Sequence, residues 1–300
     1  MVSGAVASYR LGSTLARFLP DRVGAPAARF FGRLAGRLSP GSRRLVARNL
    51  QRIRGGDAPK PTKHEVSRSV DAVFASYADY WYRSFRLPGM STEDIDSGFS
   101  QDGYEHIVEA RRSGTGPIMA LPHLGCWEWA AFWLARVNDL PVSAVVEAIE
   151  PPELFEWFRS FRASLGMEII TLGPSAGSDV VRAISANHVV CLPCDRHVGG
   201  AGVEVEFFGE ITTLPAGPAT LALRTGAALL PVAIYDNADG CHAIVRPPIP
   251  TERTEKLRHD VERVTRLLAA ELEGLIRLAP TQWHLLQPNW PSDRAAASAG

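Results

Sequence analysis

Between Pro117 and Arg246 the chain alternates short apolar runs with stretches of helical periodicity, and this alternation restricts the fold more than any other feature. The runs fall at 117–121, 142–146, 168–171, 189–192, 203–208, 228–235 and 241–246. Helical stretches lie at 127–136, 152–165, 179–186 and 216–225, the last ended by Gly226. Such alternation predicts an α/β fold with a mostly parallel central sheet flanked by helices. The last two runs bracket Asp236-Asn237-Ala238-Asp239-Gly240 and read as a hairpin, and 252–278 reads as a long charged helix.

Upstream, Thr62-Lys63-His64-Glu65 is a capping box that starts a long helix, ended by Pro88-Gly89. Its expected buried stripe is Val66, Val70, Val73, Phe74, Tyr77 and Tyr80/Trp81. A short helix follows at 102–112 with Asp102 as N-cap. Residues 5–54 read as two or three amphipathic helices, broken near Pro20, Pro26 and Pro40-Gly41. Val6, Leu11, Leu15, Phe18 and Leu19 share one stripe; Phe30, Phe31, Leu34 and Leu38 share another, with Arg29, Arg33 and Arg37 four apart. The organisation expected is an N-terminal amphipathic helical cap (1–60), one α/β domain (61–290) and a disordered tail (291–300).

Charge enters here. Residues 1–60 carry twelve basic and two acidic side chains, a net +10, which leaves −10 on the rest of a chain whose total is zero. Apolar on one face and Arg on the other is the pattern of a helix lying in a membrane interface. Residues 1–54 are therefore expected to meet an anionic membrane surface. The competing reading is a helical cap packed on the domain with a solvated Arg face. Nothing resembles a nucleic-acid motif, so no nucleic acid is expected as a partner. Arg10 and Arg17 interrupt any signal-peptide core, and no uncharged apolar run of about 18 residues occurs. The expectation is a peripheral protein on the cytoplasmic face of the plasma membrane. Four cysteines in 300 residues do not make a disulfide scaffold.

The run 117–121 is stopped by Pro122, and a helix is expected from Trp127. His123 then lies in a strand-to-helix loop, where open α/β sheets place their chemistry. Glu128 follows five residues later; on a continuous helix the two would diverge by about 140°. With His123 before the helix and Glu128 in its first turn they can meet, and a carboxylate that orients an imidazole makes it a general base. Glu147, Asp195 and Arg196 follow strand ends on the same rim, and Arg162 lies on a neighbouring helix. Cys126 offers a competing Cys–His nucleophile. Cys191-Leu192-Pro193-Cys194 is half a tetrahedral site with no second pair at zinc spacing, so no metal and no resident cofactor are expected. The stretch 207–218 reads as a loop entering a helix whose acid-free first turn suits an anion. His284 sits among aromatics near the C-terminus, a setting that suits a sugar face or a packed aromatic corner.

His123-Leu124-Gly125-Cys126-Trp127-Glu128 fits the His-x4-Glu/Asp signature of glycerolipid and lipid A type acyltransferases. Three further segments match: Cys191 to Arg196, Gly202 to Glu210, and Trp283 to Trp290. Together they resemble the actinobacterial phosphatidylinositol mannoside acyltransferases over roughly residues 60–290. The resemblance implies transfer of a palmitoyl-type chain from acyl-CoA, a co-substrate, to a mannose hydroxyl of a membrane glycolipid acceptor. It implies His123 as base and Glu128 as its orienting acid, with Glu147, Arg162 and Asp195 lining the site and His284 on the acceptor side. It also places acyl-donor contacts near 207–218. In that family the acid at the position of Asp195 is more often Glu. The alternatives are another lipid acceptor (a lysophospholipid or lipid A precursor), a non-catalytic membrane-binding protein, and a thiol hydrolase using Cys126.

Overall fold

The computed structural model describes residues 4–56, 59–238 and 240–298, without the side chains of 4–8 and 295–298. Three helices come first, α1 (Gly4–Phe18), α2 (Asp21–Arg37) and α3 (Pro40–Arg54). The long α4 (Lys63–Arg86) follows, started by the Thr62–Glu65 capping box, then α5 (Thr92–Ser97), β1 (Phe99–Asp102) and α6 (Tyr104–Arg112). Next come β2 (Ile118–Leu121), α7 (Trp127–Phe132), β3 (Val142–Val146), α8 (Pro152–Ser164), β4 (Met167–Thr171), α9 (Ala176–Ser185) and β5 (Val189–Pro193). The chain continues through β6 (Gly202–Phe207), β7 (Glu210–Pro215), α10 (Gly217–Thr225), β8 (Leu229–Asp236), β9 (Cys241–Val245), α11 (Leu257–Leu278) and α12 (Pro291–Ser298).

Seven strands form one sheet in the order β1-β9-β8-β2-β5-β3-β4, parallel except for the β8–β9 hairpin. The expected α/β class, with a mostly parallel sheet between helices, is what the chain adopts. Alternate residues of β2 serve opposite faces. Ile118 and Ala120 join a core with α9, α10, α11 and the β6–β7 hairpin, whereas Met119 and Leu121 join α6, α7 and α8. Burial on both faces is why these strands read as continuous apolar runs.

Several expectations about single elements need correction. Asp102 ends a strand, β1; the helix starts at Tyr104, whose N–H is capped by the Gln101 side chain. Residues 207–218 are not one loop. Phe208 and Gly209, both at positive φ, turn β6 back into β7 before α10 begins. The long helix starts at Leu257, because 254–255 wrap their N–H groups onto the buried Asp260 carboxylate. The tail expected to be disordered is instead helical through Ser298, with Asp293 fully buried and paired to Arg48 and Arg52. Val6 of the expected stripe lies outside the described side chains.

The N-terminal helices pack on α4. Gly24, Gly32 and Gly36 line the buried edge of α2, and a Cβ on any of them would strike Tyr82, the Phe74 carbonyl or the Phe74 ring. Their Arg side chains do not simply face solvent. Arg29 pairs with Asp79, Arg37 and Arg43 with Asp71, and Arg52 with Glu210 and Asp293. Much of the local +10 is thus neutralised by the acidic body. The apolar stripe points outward instead: Phe18 is 82 % exposed, Leu38 76 % and Phe31 62 %, with Phe30 and Leu34 also exposed. No described helix is long and apolar enough to cross a membrane.

Candidate active site

Main-chain register brings the principal pair together. β2 and β5 run parallel, with Leu121 opposite Pro193. Two residues past that pair stand His123 and Asp195, each just beyond the carboxyl end of a central strand. His123 Nδ1 lies 2.6 Å from Asp195 Oδ1, and the His123 backbone N–H donates to Asp195 Oδ2 at 3.1 Å. Asp195 has no solvent exposure, while the imidazole is about 40 % exposed. The ring therefore reaches the rim while its acid stays dry.

The C-terminal segment holds this pair. Trp283 Nε1 donates to Asp195 Oδ2 at 2.7 Å, and Asn289 Nδ2 donates to the Asp195 carbonyl at 2.9 Å. The His284 N–H donates to the His123 carbonyl at 2.7 Å, and Leu124 bridges to Trp283. Gly125 sits at φ +59, where a Cβ would collide with the Ile234 carbonyl. This loop accepts glycine there for both reasons.

The electrostatics favour an ion-pair-like dyad. Burial pulls the His123 ring down, but the Asp195 charge and hydrogen bond outweigh it, and the pKa stands above the ordinary histidine value. Burial pushes Asp195 up, while His123 and the N–H donors of Trp283 and His123 outweigh that and hold it below the usual carboxylate range. With Asp195 ionised, Nδ1 carries the proton it donates, and Nε2 is the lone-pair nitrogen. A base on an exposed ring with its tautomer fixed can take a proton from a bound hydroxyl.

Glu128 is not the partner of His123. It is fully buried, accepts from Tyr80 Oη at 2.8 Å and pairs with Arg162 Nη2 at 3.1 Å. The turn at Gly125 places His123 and Glu128 on different neighbours, and the carboxylate at His123 Nδ1 is that of Asp195. Arg162 lies over the Trp127 and Phe158 rings, its guanidinium carbon 5.0 and 5.6 Å from their centres. Glu147 and Arg196 pair with each other at 2.6 Å, and both act electrostatically on His123. His284 is buried at 8 %; Nε2 meets Ser76 Oγ at 3.0 Å, and its ring packs on Tyr77 and Tyr80. Burial, with His123 nearby, lowers its pKa to about 3, so it is neutral. The packed aromatic corner is the reading of His284 that these contacts support.

Cys126 is not a free thiol: it forms a buried disulfide with Cys241. Cys191 and Cys194 are buried and free, their thiols pushed up to about 12 in Cys191 and higher in Cys194 by burial. Neither is a nucleophile at neutral pH. Sequence reasoning missed Tyr80, Trp283 and Asn289 as supports; Trp283 and Asn289 lay in a matched segment whose spacing carried no hint of Asp195. Beneath β2 an apolar cavity lies between the sheet and α7, walled by Met119, Leu121, Trp127, Ala131, Trp133 and Ile234.

The sequence model of a family described as "Bacterial lipid A biosynthesis acyltransferase" matches residues 7–292. A "Phosphatidylinositol mannoside acyltransferase" of Mycolicibacterium smegmatis is 35% identical over 288 residues, covering 95% of this chain and 91% of that protein. A protein of the same name from Mycobacterium tuberculosis is 34% identical over 295 residues, covering 95% of this chain and 88% of its own length.

Proposed function

The chain belongs to the bacterial lipid A biosynthesis acyltransferase family, and on that premise we propose that it moves a palmitoyl-type chain from acyl-CoA to a mannose hydroxyl of a phosphatidylinositol mannoside. The observation that carries this reading is the His123–Asp195 pair, a buried acid on an imidazole that is about 40 % exposed. His123 Nε2 takes the hydroxyl proton as the oxygen attacks the thioester carbonyl. Asp195 holds the ring and stabilises the imidazolium. The CoA thiolate then leaves without help from a strong acid. Positioned base catalysis of this kind contributes about 10²–10⁴-fold. No acyl-enzyme is needed, which accords with the burial of Cys126.

Glu147 and Arg196 suit the acceptor's hydroxyls and phosphate at the rim, with Arg162 behind them. The apolar cavity under β2 suits the acyl chain, since it lies beside the strand that leads to His123. The outward Phe18, Phe30, Phe31, Leu34 and Leu38 suit insertion into the cytoplasmic leaflet, and the exposed Arg22 and Arg33 suit its anionic headgroups.

The test is labelled palmitoyl-CoA offered in parallel to phosphatidylinositol dimannoside, a lysophospholipid and water. Product on the mannoside is expected. Product on the lysolipid would keep the catalytic pair and replace the acceptor; turnover to water alone would discard both acceptors.

A further inference from the structure

Cys126, Cys241 and Asp236 converge behind the His123 loop. One ligand atom from each lies within 4.8 Å of the others. They come from three fixed positions: the residue before α7, the first residue of β9, and the last residue of β8, which pairs with Cys241 in the hairpin register. The Asp236 main chain is clamped on both sides by the Gln282 amide, at 2.7 and 2.9 Å.

The disulfide accounts for the two cysteines and leaves the acid unexplained. Both Asp236 carboxylate oxygens are buried, and neither has a hydrogen-bond partner. The nearest guanidiniums are engaged elsewhere: Arg29 binds Asp79, and Arg83 binds Asp79 and the carbonyls of Asn237 and Gly240. A buried carboxylate without a donor or cation is costly. A cation bound by all three residues explains each of them.

We propose that in the reduced protein Cys126, Cys241 and Asp236 bind a thiophilic divalent cation of the zinc class. Two thiolates and one carboxylate make three of four tetrahedral positions, and water completes the set. Ligand bonds of about 2.3 Å to sulfur and 2.0–2.2 Å to oxygen fit atoms this close once the sulfurs separate. Opening the disulfide takes two electrons and two protons from a small thiol reductant, which leaves as its own disulfide. The cation then displaces the proton of each thiol. A reducing compartment keeps such cysteines as thiols; that setting rests on the proposed cytoplasmic face, whereas the site itself does not depend on acyl transfer. The bound cation staples the His123 loop to the β8–β9 hairpin and takes no part in the proton transfer.

The experiment measures metal and thiols on the same full-length protein, purified with a thiol reductant, loaded with zinc and dialysed. The expected result is about one zinc per chain, lost in Cys126→Ser and Cys241→Ser and held at least about tenfold more weakly by Asp236→Asn against a chromophoric chelator. Zinc should raise the thermal midpoint of the reduced wild type, less that of Asp236→Asn, and not that of Cys126→Ser. Cys191→Ser/Cys194→Ser should keep the metal. Four titratable thiols without bound zinc would overturn the proposal, as would a disulfide that survives reduction, or zinc that disappears only with Cys191 and Cys194. Palmitoyl transfer can fail or succeed without changing any of these readings.

Discussion

Asp195 reaches His123 Nδ1 at 2.6 Å from 72 residues further along the chain, while Glu128, five residues away, binds Arg162 instead. Parallel pairing of β2 with β5 outranks nearness in sequence. The two acids therefore separate experimentally.

Asp195→Asn should lower kcat by about 10²–10⁴-fold, and His123→Ala should leave less than about a tenth of the wild-type rate. In the wild type the base must be neutral, and its pKa stands above the ordinary value. Activity should accordingly fall with acid from a point above the usual histidine pKa. Asp195→Asn removes the charge that raises it, so the acid limb of residual kcat/KM should move to lower pH. A limb that stays in place would reassign the base.

Glu128→Ala should leave that acid limb where it is. Its cost should appear in stability: removing one partner of the buried Glu128–Arg162 pair costs roughly 3–5 kcal/mol. Urea unfolding of the variant measures this, and a shifted pH profile without destabilisation would return Glu128 to His123.

His284 supplies a stability signature. Its folded pKa is near 3, below its unfolded value, so the unfolded chain binds a proton that the folded one does not. Stability contributed this way is full above the unfolded pKa and is lost as pH falls from about 6.5 towards 3, by about 1.4 kcal/mol per unit. His284→Gln should flatten the stability–pH curve in that window, read by urea titrations at several pH values.

Gly32→Val should detach α2 from α4, because its side chain meets the Phe74 carbonyl. Overpacking of this kind costs about 1–3 kcal/mol, checked by denaturant midpoint. Ser in place of the exposed Leu38 should do nothing to stability.

Vesicle binding distinguishes the two faces of the N-terminal helices. Phe31→Ser and Phe18→Ser should each weaken sedimentation with anionic vesicles, since burying one such side chain contributes about 1.5–3 kcal/mol. Arg37→Gln, already paired with Asp71, should matter less than Arg33→Gln. The reverse order would assign membrane contact to the paired residues.

The sheet was legible because strands buried on both faces are apolar throughout, and the His123 loop because Pro122 and Gly125 punctuate it. β1 was not, being a short edge strand of Phe99-Ser100-Gln101-Asp102 with mostly exposed side chains. The β6–β7 turn hid because Phe208 adopts a positive φ that sequence reading assigns to Gly or Asn. The amphipathic helices were found, but periodicity cannot tell which face meets the body. Here the acids Asp71 and Asp79 on α4 recruit the arginines and leave the phenylalanines outside. The partner of His123 depends on strand register, which no local pattern encodes.

Trp283 and Asn289 hold Asp195, yet they follow it by 88 and 94 residues. A ribosome that has passed Asp195 has produced both members of the pair, but neither of the side chains that hold the acid. The pair thus stays without these two supports until the chain has been made through Asn289.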